Sequence, residues 1–184
     1  MRWLKSHGDD TILEDLQAMQ RYARSLTRDR DDAEDVVQDA LVRAMERHET
    51  YQPGRDRRRW LLAIVRNAFI SGKRRVSAEA RRRDSFAETL MQHVEPDQEQ
   101  LVRLAQVARG FAALPDHHRS ILHLIAVEGL SYQETAEVLD LPIGTVMSRL
   151  ARARAALRRM EDDLASADKQ QPGHRLRVVG EEHD

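Results

Sequence analysis

No cysteine occurs in the 184 residues, which excludes disulfides, cysteine-based zinc sites and thiol redox sensing within this chain. Aromatic residues make up 4%, and glycine and proline number only 8 and 5. No alternating run of β-branched residues is present, so nothing proposes a sheet. What remains is rich in helix formers, and the expectation is an all-α protein. Long apolar runs are missing too. The longest, Trp60 to Val65, falls far short of the roughly 20 residues that cross a bilayer. The opening MRWLKSHGDD lacks the apolar centre of a signal peptide, so a cytoplasmic chain without membrane insertion is expected. A Gly-rich phosphate loop is also lacking.

Net charge offers little, at −1, until it is mapped along the chain. Residues 55–83 carry eleven Lys/Arg against two acids, whereas residues 1–50 carry twelve acids against eight bases. Residues 84–100 hold five acids and no Lys or Arg. Local patches rather than the total govern contact with a polyanion, so two separated basic segments suggest two contacts with one nucleic acid. The acidic stretches suggest a protein partner, or protection against indiscriminate DNA binding.

Ser131 to Leu157 can be read as a complete helix-turn-helix. Ser131 followed three residues later by Glu134 is a capping box, which starts a helix at Tyr132. Ala136 supplies a small side chain where two helices cross, Asp140-Leu141-Pro142 makes the turn, and Val146 plugs the angle. Val146, Leu150, Ala153 and Leu157 recur at helical spacing as a buried stripe. Thr145, Met147, Ser148, Arg149, Ala151 and Arg152 are left facing outward. Arg149, Arg152, Arg154, Arg158 and Arg159 fall between Pro142 and Met160 with no acid among them, which suits phosphates and guanine edges in a major groove. A helix pair with a merely solvated arginine face is the plain alternative. The coincidence of cap, crossing residue, turn and plug in one register favours DNA.

The segment from Asp31 to Glu46 is a second amphipathic helix, with Asp31 and Glu34 expected to cap it. Ala33, Val36, Val37, Ala40, Leu41 and Ala44 share one arc, opposite Asp35, Gln38, Asp39, Val42 and Glu46, with Met45 at the border. An acidic face carrying an apolar residue suits docking, although exposed apolar residues are common. Asp31, Asp32, Asp35 and Asp39 raise the alternative of a Mg²⁺ nuclease, but metal carboxylates are usually drawn into a pocket and these lie along a helix start and outer face. His117, His118 and His123 do not share a helix face with a suitably spaced carboxylate, and read as surface and core histidines. Neither a catalytic residue, a metal nor a cofactor is expected.

From Thr50 to Arg75 a loop leads into a helix whose Trp60, Leu61, Leu62, Ile64, Val65, Ala68 and Phe69 cover most of the circumference. Arg66 and Asn67 fall in the remaining gap. Arg55, Arg57 and Arg58 precede it and Lys73, Arg74 and Arg75 follow, an arrangement suited to a single DNA strand. The organisation expected is two small helical domains joined by a flexible linker: residues 1–76, a linker over 77–97, a second domain over 98–163, and a disordered tail over 164–184.

The order DAEDVVQDAL, RRRWLLAIVRNAFI and LPDHHRSILHLIAVEGLSYQETAEVLDLPIGTVMSRLARARAAL closely resembles the extracytoplasmic-function sigma factors over roughly residues 10–160. The resemblance implies a non-enzymatic initiation factor with sigma region 2 and sigma region 4 domains. It would bind core RNA polymerase, recognise −35 and −10 promoter DNA, aid promoter opening and be held by an anti-sigma factor. Carried onto this sequence, Asp35, Gln38, Asp39 and Met45 become polymerase contacts. Arg55, Arg57, Arg58, Trp60, Arg66, Asn67 and Lys73 become −10 contacts. Thr145, Met147, Ser148, Arg149, Ala151 and Arg152 become −35 contacts. A stand-alone helix-turn-helix regulator would need neither the acidic face nor the Asn67 strip, and a sigma-like decoy would not need the DNA-facing arginines.

Overall fold

The computed structural model describes residues 9–27, 29–52, 56–80 and 107–169, and all regular structure among them is helical. Helix α1 (Asp9–Thr27), α2 (Arg30–Glu46) and α3 (Arg57–Ala80) form an N-terminal lobe, with a short 3₁₀ turn (His48–Thr50) after α2. Residues 107–113 are helical and lead through Leu114 into α4 (Asp116–Ala126), α5 (Tyr132–Leu139) and α6 (Ile143–Lys169). Of the expected linker, residues 77–80 belong to the end of α3, and the others lie outside the described residues. The expected tail begins inside α6, which continues to Lys169. Beyond that point the tail too lies outside the described residues.

In the N-terminal lobe, α2 turns Ala33, Val37, Ala40 and Ala44 inward. Three alanines in that row let α1 and α3 approach closely with Met19, Tyr22, Leu62 and Val65, all essentially fully buried. Each large apolar side chain removed from water contributes about 1.5–3 kcal/mol. The helix start differs from the expectation: Asp29, not Asp31, is the N-cap, its carboxylate accepting from the Asp31 and Asp32 N–H groups at 2.8 and 3.1 Å. Thr27 Oγ1 donates to the Asp29 carbonyl and fixes the chain entering that turn.

The second lobe is built around Leu114, Ile121, Leu122, Leu124, Leu130, Ala136, Leu139, Val146 and Leu150. Gly129, at φ +72, turns the chain out of α4, a left-handed conformation that glycine adopts freely. The two lobes pack on each other, α1 against α4 and α3 against α5.

Arg119 ties that contact together. Only 1% exposed, it donates from Nε to the Ser25 carbonyl (2.7 Å) and from Nη2 to the Leu26 carbonyl (2.8 Å), in the last turn of α1. Those carbonyls have no intrahelical donor, so an arginine from the other lobe completes the helix end. Its Nη1 also donates to the Leu114 carbonyl (2.7 Å), and its Nη2 to Asp116 Oδ1 (2.8 Å).

Beside it, Tyr22 hydroxyl and Ser120 hydroxyl share a hydrogen bond, and burial pushes the Tyr22 pKa up to about 12. The Tyr22 ring stacks on His123 at 5.4 Å, His123 Nε2 lies 3.2 Å from Glu128 Oε1, and Arg21 grips the buried Glu128 carboxylate through Nε and Nη2. Burial lowers the His123 pKa, against the opposing pull of Glu128 and with a smaller lowering from Arg21. Protonation therefore favours the unfolded chain, whose histidines titrate near about 6.5. Stability held above that pH is lost as pH falls toward the lower folded value. The thermal midpoint is expected to drop between pH 7.5 and 5.5, and His123→Gln should flatten that slope. The remaining slope is expected from His118, whose pKa is lowered first by burial and then by His117, Arg149 and Arg152.

Candidate nucleic-acid and polymerase interfaces

Three surfaces carry the residues singled out in the sequence. On α2, Asp35 and Gln38 are exposed, Val42 and Met45 are 48% and 45% exposed, and together they form one stripe at helical spacing. Asp39 is half-buried beside this stripe. Arg43 holds it through two contacts of 3.0 and 2.9 Å and also donates from Nη1 to Ser71 Oγ on α3. Asp31 and Asp32 remain exposed at the helix start. Among the described residues no three His, Asp or Glu side chains converge as metal ligands would.

The helix-turn-helix forms from the residues that encode it. Ser131 N–H donates to Glu134 Oε2 (2.8 Å) while Glu134 N–H donates to Ser131 Oγ (3.2 Å). The bonds from Ser131 hold the Glu134 pKa below the usual carboxylate range. Asp140 takes the left-handed conformation at φ 48, a place often filled by glycine or asparagine but open to aspartate. Leu141 N–H then reaches the Ala136 carbonyl at 3.0 Å. Val146, Leu150 and Ala153 are buried and Leu157 half-buried, as the spacing predicts. On the opposite side Met147, Ser148, Ala151 and Arg152 are exposed, Thr145 is half-buried and Ser148 Oγ rests on the Thr145 carbonyl. Arg149 is also half-buried and points toward the other lobe, where it lines a cleft.

On α3 the expected strand surface is partly rearranged. Asn67 is exposed, and Arg66 is half-buried in the same cleft as Arg149. Lys73 pairs with Asp116 of α4. Trp60 is half-buried, its Nε1–H donating to Thr50 Oγ1 and its ring tilted against Tyr51 at 5.5 Å. Arg58 lies near Glu14 and Asp15 at 3.9 and 3.7 Å. Arg57, expected on the strand surface, is 8% exposed, and its Nε donates to Asp15 Oδ2 at 2.6 Å, so it braces α3 on α1. Arg55 lies outside the described residues. Arg59, which the sequence reading passed over, turns toward α5. Its signal was its spacing, seven residues before Arg66 and fourteen before Lys73.

Known proteins match this arrangement in the same order. The Sigma-70 region 2 family model matches residues 12–79, and the Sigma-70, region 4 model matches residues 104–157. The ECF RNA polymerase sigma factor EcfG of Rhodopseudomonas palustris is 34% identical over 149 residues, 80% of this chain and 81% of that one. The chain belongs to the extracytoplasmic-function sigma factors. SigM of Bacillus subtilis, another ECF RNA polymerase sigma factor, is 30% identical over 75% of this chain and 85% of its own. Among solved structures, the sigma factor RpoE of Bartonella quintana in complex with the anti-sigma factor NepR shares 31% identity at a TM-score of 0.72. That match covers 83% of this chain and 95% of RpoE. This ECF sigma factor is accordingly an alternative initiation factor, which binds core RNA polymerase and directs it to promoters through −35 and −10 elements. Among the described residues, no helix of the sigma factor is long and apolar enough to cross a membrane.

Proposed function

We propose that the three surfaces divide the work of initiation among identifiable residues. The α2 stripe, Asp35, Gln38, Val42 and Met45 with Asp39 beside it, docks on core polymerase. Arg66, Asn67 and Lys73, with Arg55, Arg58 and the Trp60 edge, hold the unpaired −10 strand. Thr145, Met147, Ser148, Arg149, Ala151 and Arg152 read the −35 duplex in the major groove. In domain terms, residues 1–76 serve polymerase and the −10 element, and residues 98–163 serve the −35 element. Arg57 leaves the strand set because Asp15 already holds it. None of these steps makes or breaks a covalent bond, so the chain acts without catalysis. Unstacking a base step takes a few kcal/mol, which polymerase contacts help to supply. The reading places the chain in the cytoplasm, where polymerase and promoter are. An anti-sigma partner is proposed by likeness to RpoE, which is solved bound to NepR.

The observation that carries the reading is the second helix of the helix-turn-helix. Val146 is fully buried at the crossing while Met147, Ser148, Ala151 and Arg152 stand clear on the other face. Arg149→Ala and Arg152→Ala are each expected to weaken −35 recognition by about 1–3 kcal/mol. Transcription by reconstituted holoenzyme on promoters with single −35 substitutions measures this. Each variant should lose discrimination at one base pair. Unchanged discrimination for both would remove α6 from promoter reading.

A further inference from the structure

The cleft that Arg66 and Arg149 share has a volume of about 230 Å³. Its walls are largely apolar: Phe69 and Ile70 come from α3, Leu26 from the end of α1, and Leu139 and Leu141 from α5 and the turn after it. Asp116, a carboxylate in the same lining, is already engaged by Lys73 and by Arg119. Among the described residues neither Arg66 nor Arg149 forms an ion pair. Burial lowers the Arg66 pKa, with Tyr22 and Asp140 acting in the opposite sense and Arg149 adding to the lowering. The two guanidiniums are thus near enough to repel, and both stay charged because arginine does not give up its proton in proteins. The cleft holds two cations without a paired anion.

Two cations beside an apolar wall are complemented by a molecule with an anionic head and an apolar body. A phosphate monoester suits the head: it carries about −1.5 to −2 at pH 7 and offers three acceptor oxygens to two arginine forks. A carboxylate would leave one of the two charges unbalanced. Size limits the body. Pockets for drug-sized ligands run to roughly 300–1,000 Å³, so this smaller cleft suits a single ring or a short chain.

We propose that this cleft is a binding site for a small organic phosphate, its phosphate gripped by Arg66 and Arg149 and its apolar body set against Phe69, Ile70 and Leu141. The site is composite, since Arg66 belongs to α3 and Arg149 to α6. Both arginines are also proposed DNA contacts. Ligand binding is measured without DNA, however, so its failure leaves the promoter reading standing.

Isothermal titration calorimetry of the full chain with phenyl phosphate tests the site. One molecule per chain is expected to bind. Inorganic phosphate lacks the body and phenol lacks the charge, and each should bind at least about tenfold more weakly. Arg66→Gln and Arg149→Gln should each weaken phenyl phosphate by at least about tenfold, through loss of a charge-assisted contact. Arg158→Gln removes the same charge from an exposed position on α6 outside the cleft and should leave affinity within about twofold. Far-UV circular dichroism verifies retained helix in each variant. As a second readout, phenyl phosphate should raise the thermal midpoint of the unaltered chain, because it binds the folded state alone, and phenol should not. Absence of both heat and midpoint shift at millimolar phenyl phosphate overturns the site. Inorganic phosphate binding as tightly as phenyl phosphate overturns it too, since charge alone would then account for binding. Equal weakening by Arg158→Gln and Arg66→Gln does the same, by assigning the affinity to diffuse surface charge.

Discussion

Val146→Asp is expected to destabilise the helix-turn-helix by about 4 kcal/mol or more, because it puts an unpaired carboxylate where no water reaches. Val146 is fully buried, and Leu139, Leu150 and Ala153, which belong to the same buried core, are apolar. A lobe of this size has little stability in reserve, so the loss should unfold it at ordinary temperature. Urea unfolding followed by circular dichroism measures the effect. Met147→Asp, one residue further and 52% exposed, is the matched control. It should move stability by no more than about 0.5 kcal/mol while impairing −35 reading. Equal stability losses in the two variants would mean that α6 does not pack as described.

Asp35→Lys is expected to abolish core polymerase binding and leave the fold intact. Asp35 is exposed on α2, so its reversal disturbs no buried group. At a docked interface a reversed charge meets like charge, which costs several kcal/mol. At about 1.4 kcal/mol per tenfold, 3 kcal/mol is roughly a hundredfold loss of affinity. Co-purification with core polymerase, beside a circular dichroism spectrum, separates the two readouts. Retained binding at native strength would remove the α2 stripe from the polymerase interface.

What the sequence disclosed and what it withheld follow a physical division. Ser131 and Glu134, Asp140, and the Val146–Leu150–Ala153 row were legible because each depends on residues within a turn or two of itself. The exposure of Asp35, Gln38, Val42 and Met45 was legible for the same reason, as the outer arc of a helix whose inner arc is alanine-rich. The cap of α2 was misread by two residues. Asp29, Asp31 and Asp32 are all competent acceptors, and the choice is set by where α1 ends and by the Thr27 contact with Asp29. The burial of Arg57 was not legible because Asp15, its partner, lies 42 residues earlier and only the packing of α1 on α3 brings them together. Arg119 gave a faint local signal, a charge three residues before Leu122 on the buried side of α4. The carbonyls it serves, Ser25 and Leu26, are more than 90 residues away. The apposition of Asp116 to Lys73, and of Glu134 and Glu137 to Arg59, is tertiary in the same sense, and no spacing rule foretells it.

Run-off transcription with purified core polymerase on a promoter library tests the account most directly. The chain should start transcripts at one class of promoter, with a −35 and a −10 element at fixed spacing. Arg149→Ala should relax the first element and Arg66→Ala the opening at the second. Initiation that is independent of the chain on every promoter, or that persists at full strength when both elements are scrambled, would contradict it.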